Sequence, residues 1–208
     1  MHKPNSFILL CAIVIGLICT YIFSPEAQTQ DDLQKDIASK IIRFHVRANS
    51  DTENDQALKL LVKDGVVNYL AEQMKSSQSK EDSFSYLQSH IEDIEAVALS
   101  IIEEQGYDYT VNAYITTEFF PTKSYGDVTM PCGEYDAFRI DIGENEGQNW
   151  WCILYPPLCF VQGSYGIATD ESKMLLQNVL DEDEFDYICD TSSDNVGFSF
   201  KFLSLFQQ

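Results

Sequence analysis

The feature that most constrains this chain is a change of hydrophobic period near its middle. Upstream, Leu58, Leu61, Val62, Val66, Tyr69 and Leu70 form one stripe, and Phe84, Leu87, Ile91, Ile94, Ala98 and Ile101 form another. That is the spacing of helices with one buried side. Gly106 stops the second stripe, because glycine accepts the left-handed conformation that ends a helix. Downstream the period is that of a strand. Tyr107, Tyr109, Val111, Ala113 and Ile115 alternate with Asp108, Thr110, Asn112 and Thr116, and Phe138, Ile140 and Ile142 alternate with Arg139 and Asp141. Side chains on successive strand positions point to opposite faces, so these segments predict half-buried strands.

One strand precedes the helices. From Ile41 to Ala48, Ile42, Phe44 and Val46 share one face while Arg43, His45 and Arg47 share the other. A polar turn over 49–54 leads into a helix predicted from Glu53 to Met74, with Ser50 and Glu53 spaced as a capping box and Thr52 or Asn54 as other candidate caps. Lys75 to Lys80 is a polar connector. Residues 143–149 predict a hairpin loop, and Trp150 to Tyr155 a buried strand ended by Pro156 and Pro157. Glu171 to Leu180 predicts a short helix, Asp181 to Asp190 an acidic loop, and Asn195 to Phe206 is apolar enough for a last strand. The order of elements is that of an α+β fold, two helices packed on a mostly antiparallel sheet.

The front of the chain has a different character. Lys3 precedes an uncharged apolar run from Phe7 to Phe23. A positive end ahead of such a run is a signal peptide or signal anchor, and the charge asymmetry sends the rest of the chain outward. The expected organisation is an export segment over 1–23, a linker over 24–36 and one extracytoplasmic α+β domain over 37–208, touching the membrane only through its N-terminal segment.

The formal net charge of −20 argues against nucleic acid, whose phosphates require clustered Lys and Arg, and against anionic lipid headgroups. Its plain meaning is a solubilising surface, and its sharper meaning an acidic face that meets a basic partner. Outside the apolar run stand Cys132, Cys152, Cys159 and Cys189, which allow three pairings that the sequence does not choose between. Disulfides suit an exported chain. No CxxC pair exists, and His45 and His90 are far apart, so no metal or cofactor is called for. Ser164 lies between Gly163 and Gly166, but a nucleophile elbow needs glycine two places before the serine, and no histidine comes after it. Acidic pairs are too numerous to single one out. Trp150 and Trp151 could stack on a sugar, which leaves a cell-wall-binding module or wall hydrolase as the alternative function.

Two segments carry a resemblance. The first runs from Ile42 through Arg43, Phe44, His45, Val46, Arg47, Ala48, Asn49 and Ser50 to Asp51, followed by Asp55, Gln56, Ala57, Leu58 and Lys59, then Val62, Lys63 and Asp64. The second runs from Gly133, Glu134 and Tyr135 to Ile140, then through Asn149, Trp150, Trp151 and Cys152 to Pro156, Pro157, Leu158, Cys159 and Phe160. Together they resemble the stage II sporulation protein R family. The resemblance implies a messenger rather than an enzyme: a protein made in the forespore and exported between the forespore and mother-cell membranes. There it would activate a membrane-embedded aspartic protease, stage II sporulation protein GA, which processes the precursor of sigma-E. The chain departs from the pattern at Arg47, where an aliphatic residue is expected, and at Cys132, where a small one is. The second departure suggests an extra disulfide between Cys132 and Cys189, beside one between Cys152 and Cys159. The candidate partner surface is the polar side of the first strand with its turn, Arg43, His45, Arg47, Asn49, Ser50 and Asp51, followed by Trp150 and Trp151.

Overall fold

In a computed structural model of the protein, the residues described are 14, 29–74, 77–160 and 169–190. The apolar run 7–23, the glycine-flanked Ser164 and the tail 195–206 lie outside them. Among the described residues no helix is long and apolar enough to cross a membrane. The chain divides into two compact units, Met1–Asp32 and Leu33–Gln208. At the end of the first, the Thr29 hydroxyl accepts from the Asp32 amide at 3.2 Å, and the Asp32 carboxylate accepts from the Thr29 amide at 3.2 Å. This reciprocal cap starts a helix within the stretch expected to be a linker.

The elements in chain order are α1 (Gln30–Lys40), β1 (Ile42–Arg47), α2 (Glu53–Gln73), α3 (Lys80–Ser89), α4 (Ile91–Glu104), β2 (Val111–Phe120), β3 (Lys123–Tyr125), β4 (Val128–Met130), β5 (Gly133–Ile142), β6 (Asn149–Tyr155), α5 (Asp170–Gln177) and α6 (Glu182–Asp190). A short 3-10 turn, Leu158–Phe160, comes after β6. The architecture is α+β around a mixed four-stranded sheet in the order β2-β5-β1-β6, with β3 and β4 paired separately. β1 runs parallel to β5 and antiparallel to β6, and β2 runs antiparallel to β5. The mostly antiparallel sheet expected from the sequence is therefore corrected to a mixed one.

Four local expectations change for physical reasons. Residues 143–149 do not close a hairpin, because β1 lies between β5 and β6; they cross the end of β1. Gly147 donates to Ala48 O at 3.0 Å and Glu146 to Asn49 O at 3.1 Å. A Cβ on Gly147 would sit 2.3 Å from the Ser50 carbonyl oxygen, so the crossing needs glycine there. The second helix breaks at His90. Ser89 Oγ donates to the carbonyls of Ser85 and Tyr86, and His90 Nδ1 also bonds Tyr86 O. These side chains compete for carbonyls that a continuing helix uses. The acidic stretch 181–190 is mostly helix. Glu184 accepts from the Asp181 amide at 2.8 Å and, with Asp181, from the Lys40 ammonium at 2.7–2.8 Å. β2 begins at Val111 rather than Tyr107; the Tyr107 and Tyr109 rings stack on one another at 5.2 Å before it.

The sheet separates two cores. On one face, Phe44, Val46, Phe138, Ile140 and Leu154 pack against Val62, Val66 and Leu70 of α2, Leu87 of α3, and Ile94 and Ala98 of α4. Three helices thus cover this face rather than two. Gly65 lies where α2 meets α4, and a Cβ there would fall 2.1 Å from Ile101 Cδ1. On the other face, Tyr135, Ala137, Ile153 and Phe120 pack with Ile37, Val128, Met130, Leu176 and Ile188, drawn from α1, β4, α5 and α6.

Candidate functional site

β1 is an inner strand covered on both faces, and this revises the surface expected from its polar residues. Arg43 is 0% and His45 2% exposed, so neither presents a contact surface. The Arg43 guanidinium lies 4.6 Å from the Phe120 ring centroid and 5.2 Å from that of Tyr135. Such stacking recovers part of the lost hydration of a cation. Its Nη2 donates to the Tyr125 hydroxyl at 3.4 Å, while Nε and Nη1 have no hydrogen-bond partner among the described residues. Burial pushes its pKa below the ordinary arginine value.

One register step along, the same face turns polar. Tyr114, Arg139, His45 and Trp151 form a row across all four strands. His45 Nδ1 meets Glu118 Oε1 at 2.8 Å, and Nε2 meets the Asn149 side-chain oxygen at 2.7 Å. Its ring stacks on Trp151 with centroids 3.8 Å apart. Arg139 donates from Nη1 to Glu118 and from Nε to Asp141, both at 2.8 Å, and the Tyr114 hydroxyl donates to Asp141 at 2.9 Å. Burial works against ionisation of Glu118, but His45 and Arg139 outweigh it and hold the carboxyl below the usual range. Burial, together with the hydrogen bond to Asp141, pushes the Tyr114 hydroxyl up to about 12. The Glu118 and Arg139 side chains are 16% and 17% exposed, so this is a fixed, half-buried ionic patch. Arg47, donating to Gly147 O at 3.3 Å, and the exposed Asn149 extend it at one end.

The remaining candidates separate. Asn49 and Ser50 hold the start of α2: both donate to the Asp55 carboxylate, at 2.8 and 2.5 Å, and the Thr52 side chain accepts from the Asp55 amide. Asn49 Oδ1 also accepts from the Glu144 amide at 2.9 Å. Burial raises the cost of the Asp55 charge, yet hydrogen bonds from Ser50, Asn49, Tyr109 and Thr52 hold it below the usual range. Thr52, not Ser50, caps the helix. Asp51 is exposed. Trp150 points into the helical core beside Phe44 at 5.8 Å, with the Lys63 ammonium 5.1 Å from its ring. Only Trp151 of the pair reaches the polar patch. Glu118, Arg139, Asp141 and Tyr114 are not singled out by the sequence, although their alternation on β2 and β5 is visible there; what joins them is strand order.

Cys152 and Cys159 are disulfide-bonded, their Cα atoms 6.1 Å apart. The bond expected between Cys132 and Cys189 is not formed. Cys132 sits exposed in the turn between β4 and β5, whereas Cys189 packs against the second core.

Fold and site together define an α+β protein with an ion-paired patch on one half of a sheet face. The family model for stage II sporulation protein R matches residues 38–165. The chain belongs to the stage II sporulation protein R family. Stage II sporulation protein R of Bacillus subtilis (strain 168) is 34% identical over 167 residues, which is 80% of this chain and 73% of that protein. No solved structure matches the chain.

Proposed function

We propose that this protein is an exported sporulation signal: a non-catalytic activator, made in the forespore, of the membrane-embedded aspartic protease stage II sporulation protein GA, which processes pro-sigma-E in the mother cell. The family match over residues 38–165 carries this reading, and the uncharged apolar run 7–23 behind Lys3 supports export. A ligand shifts a receptor only by binding one of its states better. A domain whose polar face is fixed by ion pairs is suited to that task, because little order has to be gained on binding. Among the residues expected at the contact, Arg47, Asp51 and Trp151 remain accessible enough to serve.

Deleting the gene in its sporulating host tests the reading. Pro-sigma-E should stay unprocessed, and the wild-type gene should restore cleavage. Asp51→Ala and Trp151→Ala should give graded losses that overproduction offsets, since one contact residue typically contributes about 1–2 kcal/mol to binding. Normal processing in the deletion strain would refute the role. So would a carboxylate whose change abolishes processing at every expression level with fold and binding intact.

A further inference from the structure

β2 is an edge strand, and its outward backbone is unevenly used. In an antiparallel pair, alternate residues bond the neighbour while the others point their N–H and C=O away. Gly143 N donates to Thr110 O at 2.8 Å, which assigns the even-numbered residues of β2 to β5 and the odd-numbered ones to the open edge. The Ala113 amide confirms the phase: it points outward and donates to the Glu95 side chain of α4 at 2.7 Å. Further along, Ile115, Thr117 and Phe119 also point outward, and among the described residues their amides have no such partner. Open edges are templates for another strand, and proteins blunt them where they are not used. Here Glu95 blocks one end and leaves the other free.

The free end borders a groove of about 480 Å³ between α1 and the β2–β5 pair, with Lys35, Ala38 and Ser39 on one wall and Thr117, Phe119 and Glu134 on the other. Phe119 is 62% exposed, a large aromatic placed where an added strand would lay its side chains. Glu95 stands at the edge itself, while Glu134 and Lys35 line the groove and Asp136 there is ion-paired with Lys80, in a chain of net charge −20. Two copies of so acidic a chain repel one another, so charge favours a basic occupant over a second copy.

We propose that the edge of β2 from Ile115 to Phe119 is a docking site for an extended, basic segment of a partner protein, which adds to the sheet as a fifth strand and seats an apolar side chain against Phe119. Main-chain hydrogen bonds supply affinity in this mode and alternate side chains supply selectivity. The assignment goes beyond the signalling reading, and its test does not depend on that reading.

The probe is a synthetic peptide of alternating lysine and valine, titrated into the full-length protein at about 0.15 M salt, where long-range charge effects are screened. It should bind and slow amide exchange at Ile115, Thr117 and Phe119. The same peptide N-methylated on alternate amides should bind at least about tenfold more weakly, because it cannot form the ladder. An aspartate–valine peptide should not bind. Thr117→Pro, which removes one outward amide at an edge position where proline is tolerated, should also lose at least about tenfold, while Thr117→Val binds as the wild type does. Equal binding of the methylated peptide would overturn the proposal, and so would undiminished binding by folded Thr117→Pro. A sedimenting dimer that Thr117→Pro dissolves, or an edge that becomes reactive only after residues 195–208 are removed, would also overturn it, by showing that a second copy or the chain's own tail holds the edge.

Discussion

The two faces of the sheet are built from the same four strands by different physics. Under the helices, Phe44, Phe138, Ile140 and Leu154 are apolar and buried, and their stability comes from area removed from water. On the opposite face, the same strands bury Arg43, His45 and Asp141, groups that are costly to desolvate and return little net stability even when paired. A fold seeking stability alone would not spend half a sheet face in this way. The helical face is apolar throughout, while the opposite face joins a second apolar core, with Ile37, Phe120 and Ile153, to a fixed ionic patch.

Substitutions in the two faces should differ in size and in sign. The largest effect belongs to the helical face. Phe44→Ala empties a site between α2 and the sheet and should cost about 3–5 kcal/mol in urea unfolding. A cost no larger than that of an exposed position would remove the distinction between the faces. Next comes the turn that ties β1 to α2. Asp55→Ala strands the Asn49 and Ser50 donors and should cost about 1–3 kcal/mol, with the loss reported by the same unfolding curves.

A pH-dependent effect is third in size. Glu118 and Asp55 have folded-state pKa values below their ordinary ones, which are about 4.3 and 3.9 in unfolded chains. Each therefore contributes stability that is present above those values and lost as pH falls through the depressed ones. Unfolding midpoints should hold down to about pH 5 and then fall, and Glu118→Gln should flatten the acid limb. An unchanged limb in that variant would remove Glu118 from the account. The smallest effect should have the opposite sign. Arg43→Met replaces a buried cation that has no carboxylate partner among the described residues, and replacing buried charge by apolar groups is often neutral or stabilising. A loss of more than about 2 kcal/mol would show that stacking on Phe120 and Tyr135 outweighs desolvation.

Much of the fold is legible in the sequence. The helix over 53–73, the strand at 149–155 and the short helix from 170 all express local periodicity, although the cap falls on Thr52 and not on the Ser50 of the expected capping box. The acidic stretch 181–190 is not legible, because its helix is held by Lys40, far away in sequence. The break at His90 is not legible either, since the apolar stripe runs through it unbroken and only side-chain competition for carbonyls marks it.

The candidate surface divides along the same line. Trp151 is singled out by its residue type and its place on the strand, and the structure stacks it on His45. Arg43 and His45 read as a polar outer side because a strand that alternates usually has one wet face. Alternation reports which residues share a face, and it does so correctly for β1. It cannot report whether a second layer covers that face.

The α+β class and the longer helices and strands are thus written in the chain itself, because helix and strand periods and breakers act over a few residues, whereas α1, the β3–β4 pair and the helix over 182–190 are not. Three outcomes belong to the tertiary structure: β1 lies between β5 and β6, residues 143–149 cross over rather than turn back, and Glu118, Arg139 and Asp141 meet His45 in one patch. They depend on which strands pair, and pairing is a competition among distant segments for hydrogen bonds and buried area that no local pattern encodes.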